Sequence, residues 1–205
     1  MPSLRPVVLL VLATLPLLFT SCGPTIDRSN QMVVSVRDQK LLLVREGSPV
    51  KAYPISTSKF GLGSERGSNR TPLGKHVVAK KIGTGAPEGM VFKSRRSTGH
   101  IIRPNTAGRD PIVTRILWLS GQESHNRNTF SRCVYIHGTP AEHKIGRPAS
   151  YGCIRMTSSD IVDLYERVGV GTDVKIIRGS LNTTSEGRTY YARLSDRLRP
   201  NAMRW

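Results

Sequence analysis

The stretch Tyr135–Met156, YIHGTPAEHKIGRPASYGCIRM, decides how the rest of the chain is interpreted. It places His137 at the end of a predicted strand and Cys153 sixteen positions later, in a turn of small residues. A free cysteine titrates at about 8.5, so a thiol needs a nearby base to act as a nucleophile at neutral pH. A cysteine and a histidine that meet across a loop supply the minimum set for thiol acyl transfer.

The residues around Cys153 favour a reactive thiol. We expect Cys153 to lie directly before a helix capped by Thr157 or Ser158, so that the helix N-terminus and Arg155 stabilise a thiolate. The backbone N–H groups of Gly152 and Cys153 could form an oxyanion hole. The alternative is an inert buried cysteine beside a turn.

His137 is the candidate base. One ring nitrogen would face Cys153, while a carboxylate or a backbone carbonyl holds the other. Arg155 could bind a substrate carboxylate as a bidentate fork or be a solvated charge. Tyr151 could line the pocket of the acyl donor or merely pack.

Two other roles for these residues are a disulfide and a metal site. Strand alternation over Arg132–His137 puts Cys133 and His137 on one face, roughly 13 Å apart. Bridged cysteines have Cα atoms within about 7 Å, so a Cys133–Cys153 disulfide and a catalytic Cys153–His137 pair exclude each other. A zinc site built on His137, His143 and Cys153 lacks further ligands at familiar spacing. We expect neither a metal nor a cofactor.

Charge is the most unusual global property of the chain. Its 205 residues carry a net charge of +17, with a pI near 10.6. This balance predicts attraction to a polyanion, which could be nucleic acid, an anionic membrane or an acidic polymer such as cell wall.

The N-terminus narrows that choice. Arg5, the apolar run Val7–Phe19 and the small residues before Cys22 have the layout of a secretory signal, and the run is too short to span a bilayer. The ending Phe-Thr-Ser-Cys resembles a bacterial lipobox, in which Cys22 is lipidated; plain cleavage and an uncleaved anchor are the alternatives. We therefore expect export to the periplasm or cell envelope, with an outer-membrane anchor if Cys22 is lipidated, and no nucleic-acid partner.

Hydrophobic periodicity predicts short strands with tight turns, and hence an antiparallel meander at the start of the chain. A helix follows Cys153, with an apolar stripe that ends before Gly169. Residues 82–110 look like long loops with a short strand at Ile101-Ile102, and the chain after Ser180 like a surface helix around Tyr190–Leu198 or a disordered tail. The predicted strands are Gln31–Val36, Lys40–Arg45, Val50–Ser56, His76–Lys80, Ile112–Ser120, Arg132–His137 and Asp173–Ile177.

These motifs match a known family. His137-Gly138-Thr139 followed by Ser150–Met156 resembles the signature of the bacterial L,D-transpeptidases, the YkuD-type catalytic domain. Met32–Ser56 resembles the opening strands of that family, Thr71–Lys75 its Thr-Pro-x-Gly turn, and Val174–Ile177 its closing strand. This chain has Tyr151 where the family usually has histidine.

The resemblance implies a mostly β, antiparallel β-sandwich-like domain with a short helix after the nucleophile. We expect a signal peptide over residues 1–21, a linker over 22–30, the catalytic domain over 31–178 and a basic tail over 179–205. Cys153 and His137 would be catalytic and the protein monomeric. The expected substrate contacts are Arg155, Tyr151, Gly138 and Ser150.

The resemblance also implies a reaction. Cys153 would form an acyl-enzyme with a tetrapeptide stem of peptidoglycan and pass the acyl group to an amine, which cross-links or remodels the cell wall. Such a thiol would be acylated by carbapenems. The alternatives are an L,D-carboxypeptidase with the same Cys/His site, or a non-catalytic cell-wall-binding lipoprotein.

Overall fold

The computed structural model describes residues 25–198, which form one mixed sheet of ten strands with two α-helices. The strands are β1 (Asn30–Ser35), β2 (Lys40–Arg45), β3 (Ser48–Pro54), β4 (Gly74–Ile82), β5 (Met90–Lys93), β6 (Arg96–Ile101), β7 (Ile112–Gly121), β8 (Tyr135–Gly138), β9 (Ile154–Met156) and β10 (Asp173–Ile177). The helices are α1 (Ser158–Arg167) and α2 (Ser185–Leu198), and short 3-10 turns lie at Glu142–Lys144 and Leu181–Thr183.

The strand order is β3-β2-β1-β10-β4-β7-β5-β6, and β8 branches from β7 to pair with β9. The predicted β1–β3 meander is confirmed, as is the mostly β class. Two pairs, β1–β10 and β8–β9, are parallel, while the other pairs are antiparallel. Parallel neighbours need a crossover connection, and the β8–β9 connection is the loop that carries the His137–Cys153 motif.

The main core holds the central strands against α1. Ile161, Leu164 and Tyr165 of the helix are fully buried and belong to the same apolar cluster as Ile136 of β8 and Ile154 of β9. Burying each such side chain contributes about 1.5–3 kcal/mol. The helix stripe predicted from the sequence therefore fixes the two strands that carry the site.

A second core lies on the opposite face of β1 and β2. Val33, Leu42 and Val44 are buried there with Leu181, and Tyr190 and Tyr191 of α2 pack against them. The segment beyond residue 178, expected as a surface helix or a disordered tail, thus forms α2, which begins at Ser185 and covers apolar side chains of the sheet.

Residues 82–110 differ from the predicted loops. They contain the hairpin of β5 and β6, whose turn residues Ser94 and Arg95 both have left-handed φ values of 49° and 67°. The sequence lacks the Asn-Gly or Asp-Gly pair that usually marks such a two-residue turn. All residues of β6 are exposed, and its sequence shows no alternation of apolar and polar side chains.

The strand predicted over Arg132–His137 is wrong at its start. Residues 124–133 form successive turns, Cys133 has a φ of 56°, and β8 begins only at Tyr135. The Cys133 N–H donates to the carbonyl of Phe130, and the Arg132 N–H donates to that of Asn128. These local hydrogen bonds replace a strand ladder.

The predicted signal segment, with Cys22, lies outside the described residues. Within residues 25–198, no helix is both long and apolar enough to cross a membrane.

Candidate active site

Cys153 lies at the end of a tight turn that is held by Ser150. The Ser150 hydroxyl donates to the carbonyl of Cys153 at 2.5 Å and accepts from the Gly152 N–H at 3.2 Å. Gly152 has a φ of 115°, a conformation that other residues rarely adopt. Ser150, predicted as a substrate contact, is therefore engaged in shaping the turn, and its side chain is buried.

The thiol contacts the backbone of the neighbouring strand. The Tyr135 N–H donates to Cys153 Sγ at 3.4 Å, and Sγ lies 3.5 Å from the carbonyl oxygen of Cys133. A thiol can donate to that carbonyl, whereas a thiolate would be repelled by it. The Cys133 carbonyl thus favours the thiol, whereas the Tyr135 N–H favours the thiolate.

His137 is on β8, next to the strand that follows Cys153. In the parallel register His137 lies opposite Arg155, two residues beyond Cys153. Its Nδ1 is 2.8 Å from the carbonyl oxygen of Gly138, which can only accept, so Nδ1 carries the proton. Nε2 of the neutral ring is then free to take a proton. Gly138, predicted as a substrate contact, orients the imidazole instead.

Both side chains line one cavity of about 450 Å³. Its other lining residues include Asp110, Ser150, Tyr151 and Arg155, so the predicted site residues from both halves of the motif come together. A smaller cavity of about 160 Å³ is lined by Arg132, Cys133 and Gly152. Cys153 and Tyr151 line both cavities.

Burial keeps both groups of the pair neutral. It raises the pKa of the Cys153 thiol to about 11, despite the Tyr135 N–H, which lowers it. Burial also lowers the pKa of His137 to about 4, and its hydrogen bond to Gly138 offsets only part of this shift. At neutral pH the pair is a thiol and an imidazole, since a low-polarity environment disfavours each charged form.

The two structural reasons for expecting a thiolate, the helix N-terminus and Arg155, are wrong. Strand β9 and Thr157 separate Cys153 from the first residue of α1. The helix N-terminus is instead occupied by Glu142, whose carboxylate accepts from the Ser158 N–H at 2.7 Å. The positive charge that does lower the thiol pKa belongs to Arg132, not Arg155.

Arg155 is buried beside the pair and is partly engaged. Its Nη1 forms an ion pair with Asp110, which also accepts a hydrogen bond from the Thr139 hydroxyl. Within the described part of the chain, Nε and Nη2 of Arg155 have no hydrogen-bond partner. One nitrogen atom of the guanidinium group that was predicted to bind a substrate carboxylate is therefore already paired with Asp110.

Cys133 lies much closer to Cys153 than expected. Neither thiol forms a disulfide within residues 25–198, yet the strand argument against a disulfide is wrong because Cys133 is in a turn whose carbonyl contacts Cys153 Sγ. No cluster of three metal-binding side chains occurs in residues 25–198.

Asp110, Arg132 and Glu142 are the residues at or near this site that sequence reasoning missed. Asp110 forms an ion pair with Arg155, and Arg132 lines the smaller cavity. Glu142 accepts from the Ser158 N–H at the start of α1, whose N-cap is Thr157. Each lies outside the short motifs and becomes relevant only through tertiary contacts. The composition did not single out these three residues, because charged residues occur along the whole chain.

Comparisons with known proteins identify relatives of this chain. The profile of the L,D-transpeptidase catalytic domain (YkuD) matches residues 29–176. The chain belongs to the L,D-transpeptidase catalytic domain family. It is 42% identical over 145 residues to YqjB of Bacillus subtilis (strain 168), whose name places it among the L,D-transpeptidases; the match covers 71% of this chain and 69% of YqjB.

Other L,D-transpeptidases match over a smaller share of their length. YbiS of Escherichia coli (strain K12) is 44% identical over 55 residues, which are 27% of this chain and 18% of YbiS. L,D-transpeptidase 3 from Mycobacterium tuberculosis superimposes with a TM-score of 0.48 and 19% identity, covering 76% of this chain and 62% of the other. The chain thus spans less than two thirds of both proteins.

The neutral pair predicts slow alkylation of Cys153 at pH 7. Since burial raises the thiol pKa to about 11, we expect iodoacetamide to modify Cys153 about a hundredfold more slowly than a free cysteine at neutral pH. The rate should climb up to about pH 11, because ionisation of the thiol is then the limiting event. Peptide mass spectrometry of a Cys133→Ser variant measures Cys153 without interference from its neighbour. A rate that stays constant between about pH 6 and pH 9 would show a preformed thiolate instead.

Proposed function

We propose that the protein is a peptidoglycan L,D-transpeptidase in which Cys153 is the nucleophile and His137 the base. The observation that carries the proposal is the parallel β8–β9 pair, which brings the two motif residues to one cavity in a chain of this family. The net charge of +17 suits a substrate mesh that is rich in carboxylates. Acyl transfer through a thioester needs no cofactor.

In the first half-reaction His137 activates the thiol as it attacks. Nε2 takes the proton from Cys153 while Sγ bonds to the carbonyl carbon of the L-centre of the third stem residue. The resulting oxyanion needs a donor, and the Cys153 N–H is the better candidate because the Gly152 N–H already bonds to Ser150. The C–N bond then breaks, His137 protonates the leaving amine of D-Ala, and a thioester remains on Cys153.

In the second half-reaction an acceptor amine attacks the thioester carbonyl. His137 removes a proton from the amine and returns it to Sγ as the C–S bond breaks. Cys153 lines two cavities, which supports a reaction with two substrates because the donor can occupy one cavity while the acceptor enters through the other. Water in place of the amine would give an L,D-carboxypeptidase.

The neutral ground state fits this sequence of proton transfers. A thiol and an imidazole carry no charge that must be desolvated when the stem enters, and charge develops only as Sγ attacks. Fixed hydrogen-bond donors stabilise such developing charge more effectively than solvent does. Arg155, two of whose nitrogen atoms have no partner among residues 25–198, is available to a carboxylate of the donor if the Asp110 contact shifts.

The products of incubation with purified disaccharide-tetrapeptide muropeptides test the reaction. We expect stem-peptide dimers, because an amine is a stronger nucleophile than water toward a thioester. Liquid chromatography with mass spectrometry separates dimers from tripeptide monomers, and a Cys153→Ala variant gives the background. Tripeptide monomer alone would contradict the transferase and indicate the carboxypeptidase. No product in either form would indicate the non-catalytic, wall-binding alternative.

We also propose that the mature protein is exported and anchored through a lipid on Cys22, by the lipobox-like ending of its apolar segment. The wild-type protein should then incorporate labelled palmitate in cells. A Cys22→Ser variant should lose the label, while a Cys133→Ser variant keeps it. Wild-type protein that is secreted without label would contradict the anchor and leave the enzymatic proposal intact.

A further inference from the structure

Two large aromatic side chains are exposed beside the active-site cavity. Phe60 is 44% exposed and Tyr151 63% exposed, although most large apolar side chains of the described residues are buried. Their ring centroids are 5.3 Å apart, and the ring planes are tilted by 59°. Exposed aromatic surface of this kind marks a binding site more often than chance packing does.

Lys59 fixes the two rings relative to each other. Its Nζ lies 4.5 Å from the centroid of the Tyr151 ring and 5.2 Å from that of Phe60. It also donates a hydrogen bond to the Tyr151 hydroxyl at 3.1 Å. The three side chains therefore form one unit, the aromatic platform Lys59–Phe60–Tyr151.

The backbone beneath the aromatic platform is held on both sides. The Lys59 N–H donates to the carbonyl of Ser150 at 3.1 Å, and the Phe60 N–H donates to the Ser58 hydroxyl at 3.0 Å. A bridge between Ser58 and Ser150 joins the two segments. The rings are thus largely positioned before a ligand arrives, which lowers the cost of binding.

The aromatic platform adjoins the reaction centre. Lys59 and Tyr151 line the same cavity as Cys153 and His137. Tyr151 is two residues from Cys153, so their Cα atoms are at most about 7 Å apart. Three extended stem residues span about 10 Å, so a stem acylated at its third residue keeps its sugar end within reach of the rings.

We propose that the aromatic platform binds a pyranose ring of the glycan strand that carries the donor stem. The weakly polar C–H face of a sugar can stack on an aromatic ring, while its hydroxyl and acetamido oxygens accept hydrogen bonds from Lys59 Nζ. A lipid chain would require a continuous apolar surface, whereas Lys59 of the platform lines an adjoining cavity of about 320 Å³ together with Lys144 and Arg147. This inference rests on the proposed function, since it concerns the same substrate.

Two tetrapeptide substrates test it, one with the disaccharide and one without. The wild type should show a kcat/KM about tenfold higher for the glycosylated stem, the effect of one well-formed aromatic contact. Phe60→Ala should bring that ratio close to one through the KM of the glycosylated stem. Tyr151→Phe, which retains the ring, should keep most of the preference. Ile101→Ala is a matched control, because Ile101 is an apolar side chain that is 57% exposed and lies outside the cavity lining.

A second measurement is independent of turnover. Calorimetric titration of the whole chain with a stem-free, N-acetylated glycan oligomer should detect binding that weakens about tenfold in Phe60→Ala. Equal kcat/KM values for the two stems in the wild type, or binding of the glycan oligomer that Phe60→Ala does not change, would overturn the inference. Turnover of neither stem would contradict the proposed function, while the titration would still decide whether the aromatic platform binds sugar.

Discussion

The parallel pairing of β8 with β9 is the constraint on which the site depends. It sets His137 opposite Arg155 and places Cys153 directly before β9, beside the backbone of Tyr135. Because α1 packs against Ile136 and Ile154, the main core fixes this register. A shift of one residue would send each side chain to the other face of the sheet, so the packing of the core and the chemistry of the site are linked.

Enclosure of the site determines how its chemistry begins. Burial raises the pKa of the Cys153 thiol and lowers that of the His137 imidazole, so both groups are neutral at pH 7. In the proposed mechanism His137 moves a proton during the attack and does not maintain a thiolate beforehand. The carbonyl of Gly138 holds the tautomer that this role requires, and Cys153 lines both cavities.

Much of the fold and of the candidate site could be predicted from the sequence, in the segments where the local pattern and the tertiary structure agree. The alternation of β1, the apolar run of β2 and the stripe of α1 identified real elements, and the two short motifs identified the residues that share the cavity. The run Leu41–Val44 also carried a signal that was missed. A strand that is apolar at every position must be covered on both faces, which is the role of α2.

Other features could not be predicted because they arise from contacts between distant segments. Turn hydrogen bonds at Phe130 and Asn128 replace the strand expected before Tyr135, and the resulting turn brings Cys133 next to Cys153.

The most direct test of the proposed mechanism is the intact mass of wild type and His137→Gln during exposure to a carbapenem. We predict one adduct on Cys153, formed about 10²–10⁴-fold more slowly in the variant at neutral pH, with the deficit shrinking as pH approaches the thiol pKa of about 11. No adduct on wild-type Cys153, or an unchanged rate in His137→Gln at neutral pH, would contradict it.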